Sequence, residues 1–137
     1  MSERLLVRDL MTRGVFAIGL DDNLETIRTL MEERNIRHAP VVSDDGILLG
    51  LVTQRDLLRN SLQVSKPVPP PAADLRLMTA REVMTHNVVT AAPDQDIREA
   101  ARIMLEHKYG CLPVVERSRL VGIVTESDFV RFLAAGD

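Results

Sequence analysis

The chain repeats itself, and no other feature constrains its fold as strongly. Met11-Thr12 recurs as Met84-Thr85, and Pro40-Val41-Val42 recurs as Pro113-Val114-Val115 at the same spacing. Leu48-Leu49-Gly50-Leu51-Val52-Thr53 recurs as Leu120-Val121-Gly122-Ile123-Val124-Thr125, one position closer. The missing residue falls in a turn, where Ser43-Asp44-Asp45-Gly46 becomes Glu116-Arg117-Ser118. Beyond the turn Asp56 matches Asp128, and Arg59 matches Arg131. Such self-similarity means one supersecondary unit built twice. The 137 residues therefore read as two small halves that share the task of burying apolar surface.

Each copy shows the same order of elements. Asp21-Asp22-Asn23 supplies capping residues before a helix whose Leu24, Ile27, Leu30 and Met31 fall on one face. Its counterpart has Asp94 and Asp96 ahead of Ile97, Ala100, Ala101 and Met104. Two short apolar runs, Pro40-Val41-Val42 and Ile47 to Val52, are separated by Asp-Asp-Gly, a hairpin signal. A second helix starts at Gln54, carrying Leu57, Leu58 and Leu62; its counterpart carries Phe129, Val130, Phe132 and Leu133. A short helix precedes each copy, and Thr79-Ala80-Arg81-Glu82 is a capping box opening the second one. Val15 to Ile18 and Val88 to Thr90 read as short edge strands. The boundaries are 1–62 for the first repeat, 63–78 for a linker and 79–137 for the second repeat. Residues 65–74 hold four of the seven prolines. That run reads as an extended, semi-rigid spacer in preference to a ligand for a proline-recognition domain.

Composition excludes several classes of partner. Seventeen basic residues against twenty acidic ones give a net charge of -3. Nucleic acid and anionic membranes attract excess positive charge, so neither is expected as a partner. There is no Trp, one Tyr and three Phe. Stacking platforms for single-stranded nucleic acid or sugar rings are therefore not expected. The single cysteine, Cys111, allows no internal disulfide and suits a reducing compartment. Charge interrupts the N-terminus early and no apolar run reaches spanning length, so a soluble cytoplasmic protein is expected.

Taken in order and twice over, these motifs carry a resemblance. Met-Thr, apolar-Pro-Val-Val and Gly-apolar-Val-Thr-x-x-Asp are the marks of cystathionine-beta-synthase (CBS) domains. The chain resembles a stand-alone tandem pair of them, a Bateman module, over roughly residues 5 to 135. The resemblance implies an α+β fold of two pseudo-twofold-related repeats, each a small sheet packed with helices. It also implies two clefts between the repeats that take AMP, ATP, S-adenosylmethionine or related ligands as regulatory effectors, with no other cofactor. Pairing into homodimers is implied as well.

The end of each copy can be read from its residues alone. Thr53 and Asp56 lie where a strand gives way to a helix, so free backbone N–H groups are expected there, suited to phosphate. A carboxylate suits the vicinal hydroxyls of ribose. Thr125, Ser127 and Asp128 repeat the arrangement. Thr-x-x-Asp is equally close to a capping box that serves only its own helix, and both readings stand.

The two sites are not expected to be equivalent. Arg37, His38 and Arg55 give the Asp56 site the positive charge to neutralise a di- or triphosphate. In the second copy Gly110, Cys111, Leu112 and Ser127 stand in the matching places, with Glu126 for Gln54. A phosphorylated nucleotide is expected with Asp56, and a less anionic adenosyl ligand or none with Asp128. By the resemblance, Thr90, Ala92 and Leu112 receive the base on the Asp56 side. Ala17, Leu20 and Ala39 do so on the Asp128 side, although Phe16-Ala17-Ile18-Gly19-Leu20 lacks the Thr and Pro of the second copy. The adenine must then sit between aliphatic side chains and main-chain groups.

No catalytic reading competes. His38, His86, His107 and Cys111 fall in no catalytic or metal-ligating spacing, and Cys111 reads as a buried apolar filler. The rival is a ligand-independent interaction or dimerisation module, since the final helices carry many apolar residues. Either way a sensor without a fused effector domain is expected to act through its own dimer or through an effector protein.

Overall fold

The computed structural model describes residues 4–64 and 75–135; the expected spacer at 65–74 and the side chain of Leu62 lie outside the described residues. Along the chain run α1 (Val7–Leu10), α2 (Leu24–Arg34), β1 (His38–Val42), β2 (Leu48–Thr53), α3 (Gln54–Val64), a 3-10 turn (Leu75–Leu77), α4 (Ala80–Val83), α5 (Ile97–His107), β3 (Cys111–Glu116), β4 (Arg119–Thr125) and α6 (Glu126–Ala135). The fold is α+β with two small antiparallel sheets, β1-β2 and β3-β4. These elements form two compact units, Phe16–Val88 and Met1–Val15 with Val89–Asp137. The units cut across the sequence repeats. Each takes the opening helix and Met-Thr pair of the other copy.

In the unit Phe16–Val88, Asn23 caps α2 by accepting from the Thr26 N–H at 2.8 Å. The helix ends at Asn35, which adopts the left-handed conformation that releases the chain towards β1. Leu24, Ile27 and Met31 on its inner face pack with Ile18, Ala39, Val41, Val52, Leu57 and Ala80. On the outer face Arg28 bridges Glu25 and Glu32, at helical spacings that bring them together. The β1-β2 turn has Gly46 at φ +86°, the conformation that favours glycine. The capping box of α4 is present, the Thr79 N–H donating to Glu82 Oε1 at 3.2 Å.

The unit of Met1–Val15 and Val89–Asp137 is built the same way. Asp96 caps α5 by accepting from the Arg98 N–H, and Lys108 ends it in the left-handed conformation. Ala100 and Met104 pack with Val7, Met11, Ala91, Leu112, Val114 and Val124. The deletion in the second copy shortens its hairpin: Arg117 and Ser118 both take positive φ, 52° and 69°, between the paired Glu116 and Arg119. Both central residues at positive φ is the pattern of a two-residue type I′ turn, whose twist suits a hairpin.

The expected edge strands shrink to single bridges. Ile18 pairs in parallel with Val41, and Ala91, one place beyond the expected run, pairs with Val114. Ile18 N–H donates to the Pro40 carbonyl, and its own carbonyl accepts from Val42 N–H. The next bond of a parallel ladder would come from the N–H of residue 40. Proline has none, so the ladder stops. Pro113 has the same effect beside Ala91.

The Met-Thr pairs line the other edge of each hairpin. Thr85 exchanges both backbone bonds with Leu51, at 2.8 and 3.1 Å, and Thr12 does so with Ile123, at 2.8 and 3.0 Å. Neighbouring glycines make room. A Cβ on Gly50 would lie 2.5 Å from Met84 Sδ, and one on Gly122 would lie 2.7 Å from Met11 Sδ. The repeated Met-Thr and the repeated Gly are two halves of one packing contact.

Candidate functional site

The turn where β2 meets α3 gathers the polar residues expected around Asp56. Register in the hairpin sets His38 opposite Thr53. The Arg37 carbonyl accepts from the Gln54 N–H at 2.8 Å, which holds the start of β1 against the start of α3. Asp56 Oδ2 accepts from the Thr53 N–H at 2.9 Å and from Thr53 Oγ1 at 3.0 Å. The Asp56 N–H donates back to Thr53 Oγ1 at 3.3 Å. This is a closed capping box, so the capping reading is realised. It uses one carboxylate oxygen. Oδ1 of the half-buried Asp56 has no donor among the described residues. Arg37 and Arg55 are exposed, and neither forms an ion pair among the described residues.

One expectation is corrected here. Free backbone N–H groups were expected at the head of this helix. The Gln54 and Asp56 N–H groups are both taken, by the Arg37 carbonyl and by Thr53 Oγ1. The reason is the tight hairpin, which brings a strand carbonyl and the cap hydroxyl to the helix end. Of the first three positions only Arg55 keeps an N–H without such a partner among the described residues. Positive charge for an anion must therefore come mainly from side chains.

The second copy differs at the equivalent turn. Cys111 stands opposite Thr125, and the Gly110 carbonyl accepts from the Glu126 N–H. Asp128 is buried, only 5% exposed. Its Oδ2 accepts from the Thr125 N–H at 2.8 Å and from Thr125 Oγ1 at 3.2 Å. Its Oδ1 accepts from Thr12 Oγ1 at 2.9 Å and from the Arg131 guanidinium at 2.8 Å. Both oxygens are thus engaged inside the unit. Ser127 is exposed beside it. Thr12 and Arg131 were not among the expected site residues. Their recurrence as Thr85 and Arg59 was visible, but nothing local joins position 12 to position 128.

The residues expected near the base are placed as follows. Leu112 and Ala39 are fully buried in the apolar clusters of their own units. Thr90 is half-buried, and the Ala92 N–H donates to Gln95 Oε1. Ala17 is half-buried, and Leu20 packs on the cluster around α2, its carbonyl accepting from the Arg81 N–H. Thr90, Ala92 and Leu112 belong to the unit of Asp128, and Ala17, Leu20 and Ala39 to the unit of Asp56. Cys111 is buried, and burial pushes its thiol up to about 12. At neutral pH it is a protonated apolar filler rather than a nucleophile.

A family model for the CBS domain matches residues 7–63 and again 80–135. The chain belongs to the CBS-domain family. A CBS domain-containing protein of Dictyostelium discoideum is 35% identical over 136 residues, spanning 95% of this chain and 92% of that protein. Among solved structures, the CBS domain pair of protein MJ0100 in complex with 5′-methylthioadenosine and S-adenosyl-L-methionine superposes with a TM-score of 0.83. It is 27% identical and covers 98% of this chain and 100% of its own. CBSX2 in complex with AMP superposes with a TM-score of 0.79 at 28% identity, covering 95% of this chain and 96% of its own. The stretches matched in this CBS pair carry both Thr-x-x-Asp turns. Among the described residues no helix is long and apolar enough to cross a membrane. Nor do three metal-ligating side chains gather anywhere among them.

Proposed function

We propose that this CBS pair is a regulatory module that binds an adenosyl ligand, and that AMP-like nucleotides are taken at the Asp56 turn. The observation that carries the reading is that Oδ1 of Asp56 has no donor among the described residues, in a carboxylate otherwise fixed by its capping box. A fixed carboxylate with a spare oxygen can accept from the vicinal hydroxyls of a ribose. Arg37 and Arg55 are carried at the same turn, and their guanidinium groups supply charge for a phosphate. Similarity to CBS pairs solved with AMP, 5′-methylthioadenosine and S-adenosyl-L-methionine supports the class of ligand.

The adenine has few aromatic surfaces to meet. The Phe16 ring is covered by the Arg34 guanidinium at 4.6 Å, and Tyr109 stacks on His107 at 5.3 Å. Aliphatic side chains and main-chain groups are left to hold the base. A thermal-shift panel of AMP, ATP, S-adenosylmethionine and adenosine tests the reading. AMP at a hundred times its dissociation constant should stabilise the fold by about 2.7 kcal/mol. Asp56→Ala should abolish that shift, and a panel without any shift would sink the proposal.

The signal would leave through the exposed apolar face of α6. Val130, Phe132 and Leu133 on α6 are 64%, 38% and 77% exposed. Apolar side chains exposed in this number mark an interface, here assigned to a second copy of the chain. Sedimentation should give twice the chain mass for the native protein. The pair Val130→Glu and Leu133→Glu should return it to the monomer, because an unpaired charge in an apolar interface opposes association.

A further inference from the structure

The two repeated carboxylates differ in what surrounds them. Thr12 and Thr85 occupy equivalent backbone positions, each paired with the second strand of a hairpin. Thr12 Oγ1 reaches Asp128 Oδ1 at 2.9 Å. No bond joins Thr85 to Asp56, nor Arg59 to Asp56, although Arg131, the match of Arg59, donates to Asp128 at 2.8 Å. Asp128 thus takes four donors and keeps no oxygen free, in a site only 5% exposed.

We infer that Thr12 and Arg131 commit Asp128 to a latch that holds the N-terminal segment on its unit, leaving Asp56, of the two repeated carboxylates, to accept a ligand's diol. The physical ground is the asymmetry of hydrogen bonding. A ribose approaching Asp128 would have to displace the Thr12 and Arg131 donors already on Oδ1, both of them exposed, so it would only exchange one set of hydrogen bonds for another and gain little. At Asp56 it would meet an open oxygen. The Thr12 hydroxyl bond adds to the two backbone bonds between Thr12 and Ile123, at 2.8 and 3.0 Å, so side chain and main chain fasten the same segment. Thr12 is therefore a specificity-determining residue through its hold on Asp128. The one-site clause rests on the adenosyl reading above, whereas the latch does not.

The test joins a double-mutant cycle to a stoichiometry measurement. In thermal denaturation without ligand, Thr12→Val and Asp128→Asn should each lower Tm by about 4 °C, and the double variant by little more than the larger single effect. Thr85→Val and Asp56→Asn should instead add. Additive losses for the Thr12 and Asp128 pair would overturn the latch. In calorimetric titration with AMP, one equivalent per chain is expected. Affinity should fall at least tenfold in Asp56→Asn and stay within twofold in Asp128→Asn. Thr12→Val should open a second, weaker site. Two equivalents in the native chain, or equal losses in both Asp variants, would overturn the one-site assignment. Absence of AMP binding in every variant would overturn that clause together with the adenosyl reading, and the cycle alone would then decide the latch.

Discussion

Leu112→Ala is expected to cost about 2–5 kcal/mol of folding stability, read as a fall in the urea midpoint followed by far-UV circular dichroism. Leu112 is fully buried, in a cluster with Val7, Met11, Ala91, Ala100, Met104, Val114 and Val124. Three of these partners, Ala91, Val114 and Val124, are themselves small or β-branched and held beside Pro113, on β3 or on β4, so they cannot swing in to fill the void. The loss then contains both the transfer term and most of the cavity term. Marginal proteins have only about 5–15 kcal/mol in total, so this single truncation should bring the chain near its threshold. The same variant separates two roles for Leu112. A core residue lowers the midpoint and leaves AMP affinity in the folded fraction unchanged, whereas a residue touching adenine would lower affinity as well. An unshifted midpoint would contradict the packing described for this unit.

Gly50→Val should be nearly as damaging, for the opposite reason. A Cβ there would stand 2.5 Å from Met84 Sδ, 2.9 Å from Met84 Cγ and 2.9 Å from the Thr85 carbonyl oxygen. The methionine can move, but the carbonyl is paired to the Leu51 N–H in the bridge that fastens residues 84–85 to β2. Overpacking of a tight contact costs about 1–3 kcal/mol, and here it also threatens two backbone hydrogen bonds. A loss towards about 3 kcal/mol is expected in the urea midpoint. Gly19→Ala provides the control, since a Cβ at Gly19 meets only Asp22 Oδ2 at 3.8 Å, an ordinary contact. Adding Met84→Ala to Gly50→Ala should recover part of the loss but not all, because the Thr85 carbonyl remains. Full recovery would show that the sulfur alone sets the need for glycine at this position.

Gly50→Val bears on the site because the packing it disturbs positions the turn. The Asp56 turn is the place where β2 ends, and β2 is held on one side by β1 and on the other by residue 85. Loosening the Met84-Thr85 segment releases one edge of the strand that carries Thr53. The effect on AMP binding should follow the effect on stability. Arg55→Ala, by contrast, should weaken a phosphate contact without touching the fold, since its side chain is exposed.

Much of the molecule was legible in its residues. Helical spacing of Leu24, Ile27 and Met31, the caps at Asn23 and Asp96, and the hairpin turns are local signals, and each acts within one turn of chain. The Thr-x-x-Asp turns were equally plain, because a capping box is a three-residue relation. The edge strands are shorter than the residues predict. Proline at 40 and at 113 ends each ladder, but its effect falls on residues that pair with it only after the chain has folded.

The duplication, the order of elements, the capping boxes and the contrast between Arg37-His38 and Gly110-Cys111 follow from the order of residues alone. Those are relations of composition and short spacing. Tertiary structure alone decided which hairpin receives each Met-Thr pair, that Gly50 and Gly122 exist to admit the methionine sulfurs, and that Thr12 closes on Asp128 while Thr85 leaves Asp56 open. The two copies present the same motif to the eye. Only a hydroxyl carried across the sequence to a buried carboxylate makes one of them a fastening, because hydrogen bonds depend on distance in space and not on distance along the chain.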